Sequence, residues 1–168
     1  MDKEKLTGEA IAFRPIAEDD SEFLYKLYAS TRAEEMALTG WNEKETEAFL
    51  RSQFNLQHTQ YMKNYTEGGT FEIILVDHTP AGRLYLQRKP NDLHIIDIAL
   101  LPEFRGKGTG SRIMKELMAE ADQKKLPLSL YVEQFNPALG LYERLGFEKK
   151  ELIGVYFSMV RPPKRNDE

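Results

Sequence analysis

Residues 95–121 read IIDIALLPEFRGKGTGSRIMKELMAEA and place three alternating glycines between an apolar run and a helical pattern. The apolar run predicts a buried strand, and the spacing of Ile113, Leu117 and Ala121 predicts an amphipathic helix. Glycine at such a junction allows left-handed dihedral angles or lets a ligand approach the main chain closely. The start of a helix adds unpaired N–H groups and the positive end of a dipole, which suits a phosphate. The stretch therefore predicts an anion site between a strand and a helix.

Two common phosphate-binding loops do not fit this position. A P-loop requires a Gly-Lys pair followed by Ser or Thr, but the pair at 106–107 is followed by another glycine. A dinucleotide fingerprint, G-x-G-x-x-G, would need glycine at position 111 or 113, and neither is glycine. An ATP- or NAD-binding protein is therefore disfavoured. The pattern that remains is Arg-x-x-Gly-x-Gly, formed by Arg105, Gly108 and Gly110.

The composition narrows the class of protein. The 168 residues are 41% hydrophobic and 30% charged, which describes an ordinary soluble domain, and no apolar run approaches the ~20 residues of a membrane span. The absence of cysteine excludes disulfides, thiolate metal sites and a cysteine nucleophile. The N-terminal MDKEKLTGEA lacks the apolar stretch of a signal peptide, so a cytoplasmic location is expected. A net charge of −4 argues against nucleic acid as a partner, and three scattered histidines argue against a metal site.

Helical and extended patterns follow one another in the order β-α-α-β-β-β-α-β-α-β-β. This order predicts an α/β or α+β fold in which helices pack on the faces of a sheet. The last helix is expected to have Asn136 as its N-cap and Pro137 at its first position. The four predicted helices lie within residues 18–32, 42–65, 109–125 and 136–147, and the strands within 10–17, 70–77, 81–89, 93–101, 126–134, 147–152 and 154–161.

Two segments then point to a family. IDIALLPEFRGKGTGSRIMKEL (96–117) resembles the acyl-CoA-binding motif of the GCN5-related N-acetyltransferase (GNAT) superfamily, and NPALGLYERLGFEKK (136–150) resembles a later motif of the same superfamily. LYASTRAEEMALTGW (27–41) resembles the N-terminal part of a bacterial subgroup. The resemblance implies one domain over residues 1–168, with a mixed, mostly antiparallel sheet of six to seven strands. The sheet would be splayed at the acyl-CoA site and flanked by four helices.

The resemblance also implies an acetyl-CoA-dependent N-acetyltransferase, a monomer or a homodimer, that acts on a small amine or a peptide amine. The alternative is a module of the same fold that binds acyl-CoA without catalysis. The pyrophosphate would lie on the glycine loop, whose Arg105 and Lys107 side chains either contact phosphates or face water. The N–H of Leu100 or Leu101 would stabilise the oxyanion. The donor-site residues implied are Ile98, Ala99, Leu100, Leu101, Arg105, Gly106, Lys107, Gly108, Thr109, Gly110, Ser111, Asn136, Ala138 and Tyr142.

Four residues are candidates for proton transfer. Tyr142 matches the tyrosine that protonates the leaving sulfur in many members of the superfamily, although a core tyrosine would give the same pattern. Asp97 interrupts a buried strand with a charge and ranks first as general base. Glu133 at the end of the next strand ranks second, and His94, on the opposite face from Asp97 by simple alternation, ranks third. A water chain without a dedicated base is the alternative.

The acceptor pocket would use the first two helices and the last strands. An inward-facing Glu34 or Glu35 would favour a cationic acceptor, whereas an inward-facing Arg32 would favour a carboxylate or phosphate. The substrate-binding candidates are Arg32, Glu35, Trp41, Gln57 and Tyr156, with Glu34, Gln53 and Tyr61 as further possibilities.

Overall fold

The structure, a computed structural model, describes residues 9–164. Its strands are β1 (Ile11–Pro15), β2 (Gly69–Val76), β3 (Thr79–Lys89), β4 (Asp92–Leu100), β5 (Leu128–Glu133), β6 (Glu148–Ile153) and β7 (Tyr156–Arg161). They form a seven-stranded sheet in the order β1-β2-β3-β4-β5-β7-β6. Neighbouring strands are antiparallel except β4 and β5, which are parallel. The prediction of a mixed, mostly antiparallel sheet is confirmed.

The helices are α1 (Ser21–Thr31), α2 (Ala33–Ala37), α3 (Glu43–Asn64), α4 (Thr109–Lys124) and α5 (Leu139–Arg144). Four helices were predicted, and α2 is the additional one. It follows α1 after a single non-helical residue, Arg32, because neither Gly nor Pro occurs between residues 16 and 39. A capping box starts α3: Asn42 Oδ1 accepts from the Glu45 N–H at 2.8 Å, and Glu45 Oε1 accepts from the Asn42 N–H at 3.0 Å.

The last helix begins later than predicted. It starts at Leu139 rather than at Pro137, because residues 137–138 form a turn first. Asn136 still contributes a cap to this segment, since its Oδ1 accepts from the Ala138 N–H at 2.8 Å. Gly146, with a φ of +101°, ends the segment in the left-handed region that favours glycine.

Helices cover both faces of the sheet, as the burial of strand β2 shows. Its consecutive residues Ile73 and Ile74 point to opposite faces, yet both are fully buried. Ile74 packs with the apolar side of α4, and Ile73 packs with residues of α1 and α3. A strand that is buried on both faces reads as a continuous apolar run, as this one does. None of the helices within residues 9–164 is long and apolar enough to cross a bilayer.

An ion-pair cluster joins α4 to the end of β3. Arg88 Nε and Nη2 donate to the two carboxylate oxygens of Glu120 at 2.8 and 2.9 Å, and Lys124 Nζ lies 2.9 Å from Glu120 Oε2. Chiefly because of Arg88, and against the effect of burial, the pKa of Glu120 falls to about 2. The carboxylate is therefore ionised in the folded protein down to a far lower pH than in the unfolded chain.

We predict that Glu120→Gln lowers the free energy of unfolding by about 1 kcal/mol at pH 7, since solvent screens part of this cluster. A lowered folded-state pKa stabilises the protein above the unfolded pKa of about 4.3 and loses that effect as the pH falls towards about 2. The difference between wild type and variant in urea unfolding should therefore shrink across that window. The control is Glu116→Gln on the same helix, where the side chain is exposed. Equal losses in both variants would contradict the assignment.

Candidate active site

The candidate site begins where β4 and β5 separate. The two strands pair only at Leu93–Leu128, His94–Ser129 and Ile95–Leu130. Beyond this point β4 continues to Leu100 paired only with β3, and β5 continues to Glu133 paired only with β7. Each strand thus keeps its outer partner while a gap opens between them. The splayed sheet predicted for an acyl-CoA site is confirmed.

The backbone of β4 presents hydrogen-bonding groups to this gap. The Leu101 N–H donates to the Ala81 carbonyl at 2.8 Å, so it is not available to a ligand. In an antiparallel pair the direction of the N–H groups alternates, which turns those of Ile98 and Leu100 away from β3 and towards the gap. Of the two N–H groups predicted to stabilise an oxyanion, the one of Leu100 therefore faces the gap.

The glycine loop lies directly after β4. Gly106 and Gly108 have φ values of +73° and +85°, which favour glycine, and a Cβ on either would meet no atom within 4 Å. The N–H groups of residues 106–111 find no acceptor within residues 9–164. Together with the start of α4 at Thr109, they form an open cradle of donors that fits the pyrophosphate of coenzyme A. Of the two hydroxyl-bearing residues predicted in the donor site, Thr109 is buried and Ser111 is half-buried.

Arg105 is exposed, and its guanidinium is hydrogen-bonded to two neighbouring elements. Its Nε donates to the Leu100 carbonyl at 2.8 Å, and its Nη2 lies 3.1 Å from Ser30 Oγ at the end of α1. The guanidinium therefore ties the loop to β4 and α1. Lys107 is exposed at the tip of the loop.

A bulge in β4 changes which residues share a face. The register pairs Tyr85 with Asp97 and Gln87 with His94, and the ladder shifts between Tyr85 and Leu86. Because Tyr85 and Gln87 lie on one face of β3, Asp97 and His94 also lie on one face, and the prediction that they point to opposite faces is wrong. This is the face covered by α1 and α3. In β5 it carries Ser129, Tyr131 and Glu133 by alternation.

Asp97 is paired with a buried arginine that the sequence analysis did not single out. Arg83 Nε donates to Asp97 Oδ2 at 2.6 Å, and Arg83 Nη2 donates to Gln57 Oε1 at 3.0 Å. Arg83 is only 3% exposed, and the rings of Tyr61 and Tyr85 lie beside its guanidinium. Gln57, a predicted substrate contact, is therefore hydrogen-bonded to the same arginine that binds Asp97. The missed signal is a charge inside an apolar strand, which is the same signal that identified Asp97.

Four of the other predicted residues lie at the end of β5. Arg32 Nη1 lies 3.0 Å from Glu35 Oε1 and 3.6 Å from Glu133 Oε1, so it links α2 to the edge of the gap. Tyr156 is the cross-strand neighbour of Glu133 and is 42% exposed. Trp41 instead packs edge-to-face on Phe49 at 5.3 Å between ring centres, Glu34 is exposed, and Gln53 is half-buried.

Tyr142 lies on the opposite face of the sheet. It belongs to α5, packs edge-to-face on Phe147 and contacts the apolar cluster beneath α4. Burial raises the pKa of the Tyr142 phenol, and the Asp97 carboxylate raises it further. The Tyr142 phenol and the Asp97 carboxylate therefore interact electrostatically, although the two residues lie on different faces of the sheet.

His94 is buried rather than being a surface residue at a strand edge. Its Nδ1 lies 2.8 Å from Ser129 Oγ, and its ring stacks on Tyr65 and meets Tyr131 edge-to-face. Burial lowers the pKa of the imidazole. Within residues 9–164 no group of three or more potential metal ligands is found.

The profile of the Acetyltransferase (GNAT) family matches residues 23–147 of the chain. The chain is similar to an N-alpha-acetyltransferase of Saccharolobus solfataricus, with 25% identity over 115 residues that cover 59% of this chain and 67% of that protein. It is 36% identical over 71 residues to a Bacillus subtilis protein provisionally named a ribosomal protein bS18-alanine N-acetyltransferase, covering 40% of this chain and 46% of that protein.

The fold is also that of a solved structure, PaiA N-acetyltransferase from Thermoplasma acidophilum in complex with coenzyme A. The TM-score is 0.66 at 21% identity, covering 91% of this chain and 99% of that chain. The family profile extends from α1 through the gap and the glycine loop to Phe147. The chain therefore belongs to the GNAT family of acetyltransferases, whose members take the acetyl group from acetyl-CoA.

Proposed function

We propose that the protein transfers the acetyl group of acetyl-CoA to the α-amino group at the N-terminus of a peptide or protein. The observation that supports this most directly is the gap between β4 and β5, which opens beside the unpaired N–H groups of residues 106–111. A gap in a sheet accepts an extended chain with amides, and an adjoining cradle of N–H groups accepts a pyrophosphate. These are the two recognisable parts of coenzyme A.

Each part of the donor would meet a particular part of the protein. The glycine loop and the start of α4 would hold the pyrophosphate, and the N–H groups of Ile98 and Leu100 would bind amide or carbonyl oxygens in the gap. Asn136 and Ala138 lie in the turn before α5, where they would contact the donor from the β5 side. Bound acetyl-CoA supplies a thioester carbonyl for the amine to attack and a thiolate as the leaving group.

Tyr142 is the proposed general acid. Because its phenol pKa is raised above the ordinary value of about 10, the group is still protonated near pH 8, where an α-amine becomes neutral, so that a proton is available there. After the proton moves to sulfur, the phenolate would lie in the field of Asp97, which disfavours the negative charge. Asp97 therefore favours rapid return of a proton to Tyr142.

Two considerations support an α-amine as the acceptor. The two curated relatives carry names that refer to N-alpha acetylation and to the alanine of a ribosomal protein. An α-amine has a pKa of about 7.7–8.0, against about 10.4 for lysine, so near neutral pH far more of it is in the nucleophilic form. The face of the sheet covered by α1 and α3 is called here the acceptor face. Four residues lie there at the mouth of the gap, where they would contact the residues that follow the amine: Arg32, Glu35, Glu133 and Tyr156.

The function is tested by measuring free thiol release from acetyl-CoA with two matched sets of peptides. One set has a free N-terminus and no lysine, and the other has an acetylated N-terminus and one lysine. We expect turnover with the first set and little with the second. Turnover with lysine alone would overturn the proposed acceptor class. Coenzyme A binding without turnover of any amine would favour the non-catalytic alternative.

For the donor site, we predict that Gly108→Glu raises the dissociation constant for coenzyme A by at least about 30-fold, or about 2 kcal/mol. The side chain would fill the open space above the loop and place a negative charge beside the phosphates. Isothermal titration calorimetry measures the effect. Gly40→Glu is the matched control, since Gly40 also has a positive φ and open space around it but lies outside the loop. Unchanged affinity in Gly108→Glu would remove the pyrophosphate assignment.

For the acid, we predict that Tyr142→Phe lowers kcat by roughly 100-fold, which is the usual contribution of a general acid. The dissociation constant for coenzyme A should change less than about twofold, because the ring and its packing on Phe147 remain. Tyr25→Phe, in the core between α1 and α3, serves as the control for loss of a tyrosine hydroxyl. A comparable loss of coenzyme A binding would make Tyr142 a structural residue instead.

A further inference from the structure

Three hydrogen-bonded polar side chains lie where β4 and β5 are still paired, before the gap opens, and the last of them is His94. Ser129 Oγ lies 2.9 and 3.1 Å from the two carboxylate oxygens of Asp92, and His94 Nδ1 lies 2.8 Å from the same Oγ. Asp92 is the first residue of β4, and Ser129 lies opposite His94 in β5. The pair His94–Ser129 belongs to the last three rungs before the strands separate.

The chemistry of the three groups fixes the direction of their hydrogen bonds. An ionised carboxylate only accepts, so the single Ser129 hydroxyl proton is donated to Asp92. Ser129 Oγ can then only accept from the imidazole, which places the ring proton on Nδ1. The Nε2 atom of His94 is therefore the basic nitrogen. No protein partner for Nε2 is found within residues 9–164.

The surroundings keep this imidazole neutral and in contact with water. A cleft of about 200 Å³ lies against it, lined by residues of the ends of α3, β3, β4, β5 and β7. Burial is the main cause of the lowered pKa of His94; Lys89 lowers it further, and Asp92 opposes both. The other titratable groups facing the ring are Tyr65 and Tyr131. A cleft of this size with polar walls holds several waters.

The other two base candidates are paired with arginines. Asp97 is bound by the buried Arg83, and Glu133 lies near Arg32. Each of these carboxylates is therefore already engaged by a cation. The partner of His94 is a neutral hydroxyl, and its Nε2 lone pair is unused. Within the acceptor face, His94 is thus the group best prepared to receive a proton.

We propose that Asp92 and Ser129 are positioning residues that hold His94 as its Nδ1–H tautomer, so that Nε2 accepts, through water, the proton lost by the acceptor amine. This inference rests on the proposed function, because it concerns the proton balance of acetyl transfer. It also assigns the cleft beside His94 as the route by which that proton reaches solvent.

The proton balance can be followed step by step. As the amine nitrogen forms its bond to the carbonyl carbon, it loses one proton through water to Nε2, and His94 becomes an imidazolium. Its Nδ1–H still donates to Ser129, whose hydroxyl still donates to the Asp92 carboxylate. As the carbon–sulfur bond breaks, Tyr142 gives its proton to sulfur. The imidazolium then releases its proton to the cleft, and the Tyr142 phenolate regains one from solvent.

The assignment matches an α-amine better than a lysine. The ordinary pKa values of imidazole and an α-amine differ by about 1.3 units, whereas imidazole and a lysine amine differ by about 4 units. The lowered pKa of His94 widens both differences but keeps their order. A neutral histidine is therefore an effective proton acceptor only for the first class of amine.

The tautomer can be tested without any enzymatic activity. The chain has three histidines, so ¹⁵N–¹H spectra of the rings are simple, and His94→Gln identifies the His94 signals. We expect the Nδ1–H tautomer in the wild type and its loss in Ser129→Ala. Ser129→Thr retains a hydroxyl and should keep it. An Nε2–H tautomer in the wild type, or an unchanged tautomer in Ser129→Ala, would overturn the positioning role.

The catalytic part is tested with the peptide that gives the best turnover. His94→Gln should lower kcat by roughly 100-fold and remove the acid limb of the kcat–pH profile, as expected for loss of a general base. Ser129→Ala should lower kcat about 10-fold and move the acid limb to lower pH, because the imidazolium loses an acceptor for its Nδ1–H. Ser129→Thr should restore most of the rate.

Ser158→Ala is the control, since it removes a hydroxyl from the same cleft without contacting His94. Its kcat and pH profile should equal those of the wild type. The proposal would be overturned if His94→Gln kept the acid limb of the wild-type kcat–pH profile. Equal losses of kcat in Ser129→Ala and Ser129→Thr would also overturn it. Failure of all peptides to react would instead contradict the proposed function, and the tautomer measurement would still report on the Asp92–Ser129–His94 chain.

Discussion

The site depends on the interrupted pairing of β4 and β5. Backbone N–H and C=O groups that are buried must be hydrogen-bonded, and a strand can leave one neighbour only if its other neighbour holds it in the sheet. Here β3 holds β4 and β7 holds β5, so the two strands can separate after only three paired positions. The N–H groups of Ile98 and Leu100 then face the gap and can bind the amide oxygens of a ligand, whereas the Leu100 carbonyl already accepts from Arg105 Nε. The glycine loop extends the same principle, because its N–H groups also find no protein acceptor.

In the mechanism proposed above, the two proton transfers of acetylation lie on opposite sides of the gap. Tyr142 lies on the face covered by α4, whereas His94, Asp97 and Glu133 belong to the face covered by α1 and α3. A proton leaving the amine and a proton arriving at the sulfur would therefore move on opposite sides of the sheet. The field of Asp97 acts across the gap on the Tyr142 phenol, which couples the two sides electrostatically.

Two groups of polar residues on the acceptor face differ in their hydrogen-bonding partners: the Arg83–Asp97 pair and the chain from Asp92 to His94. Arg83 is almost fully buried, and removing a single partner of such a pair is costly because it leaves the other charge without compensation. The Arg83–Asp97 pair therefore holds the Asp97 carboxyl group in a fixed position at the edge of the gap. The chain from Asp92 to His94 ends instead in a neutral ring beside water. A site that has to remove a proton benefits from both arrangements, a permanent charge for orientation and a titratable group for transfer.

Much of the fold and the donor site could be predicted from the sequence. The order of strands and helices, the capping of α3, the glycine loop and the two family motifs are all properties of neighbouring residues, which set dihedral preferences and apolar periodicity directly. The role of Tyr142 is a prediction from its motif. The added helix α2 and the later start of α5 were missed because helix boundaries depend on one or two residues at each end.

Only the tertiary structure decided how the acceptor face is assembled. A single bulge in β4 moved His94 to the same face as Asp97, and a bulge is set by strand pairing and not by the alternation of one strand. Arg83 and Asp97 are 14 positions apart, and the bonds of Ser129 to His94 and Asp92 span 35 and 37 positions. Such contacts arise from the register between strands, which no periodicity within a single segment records.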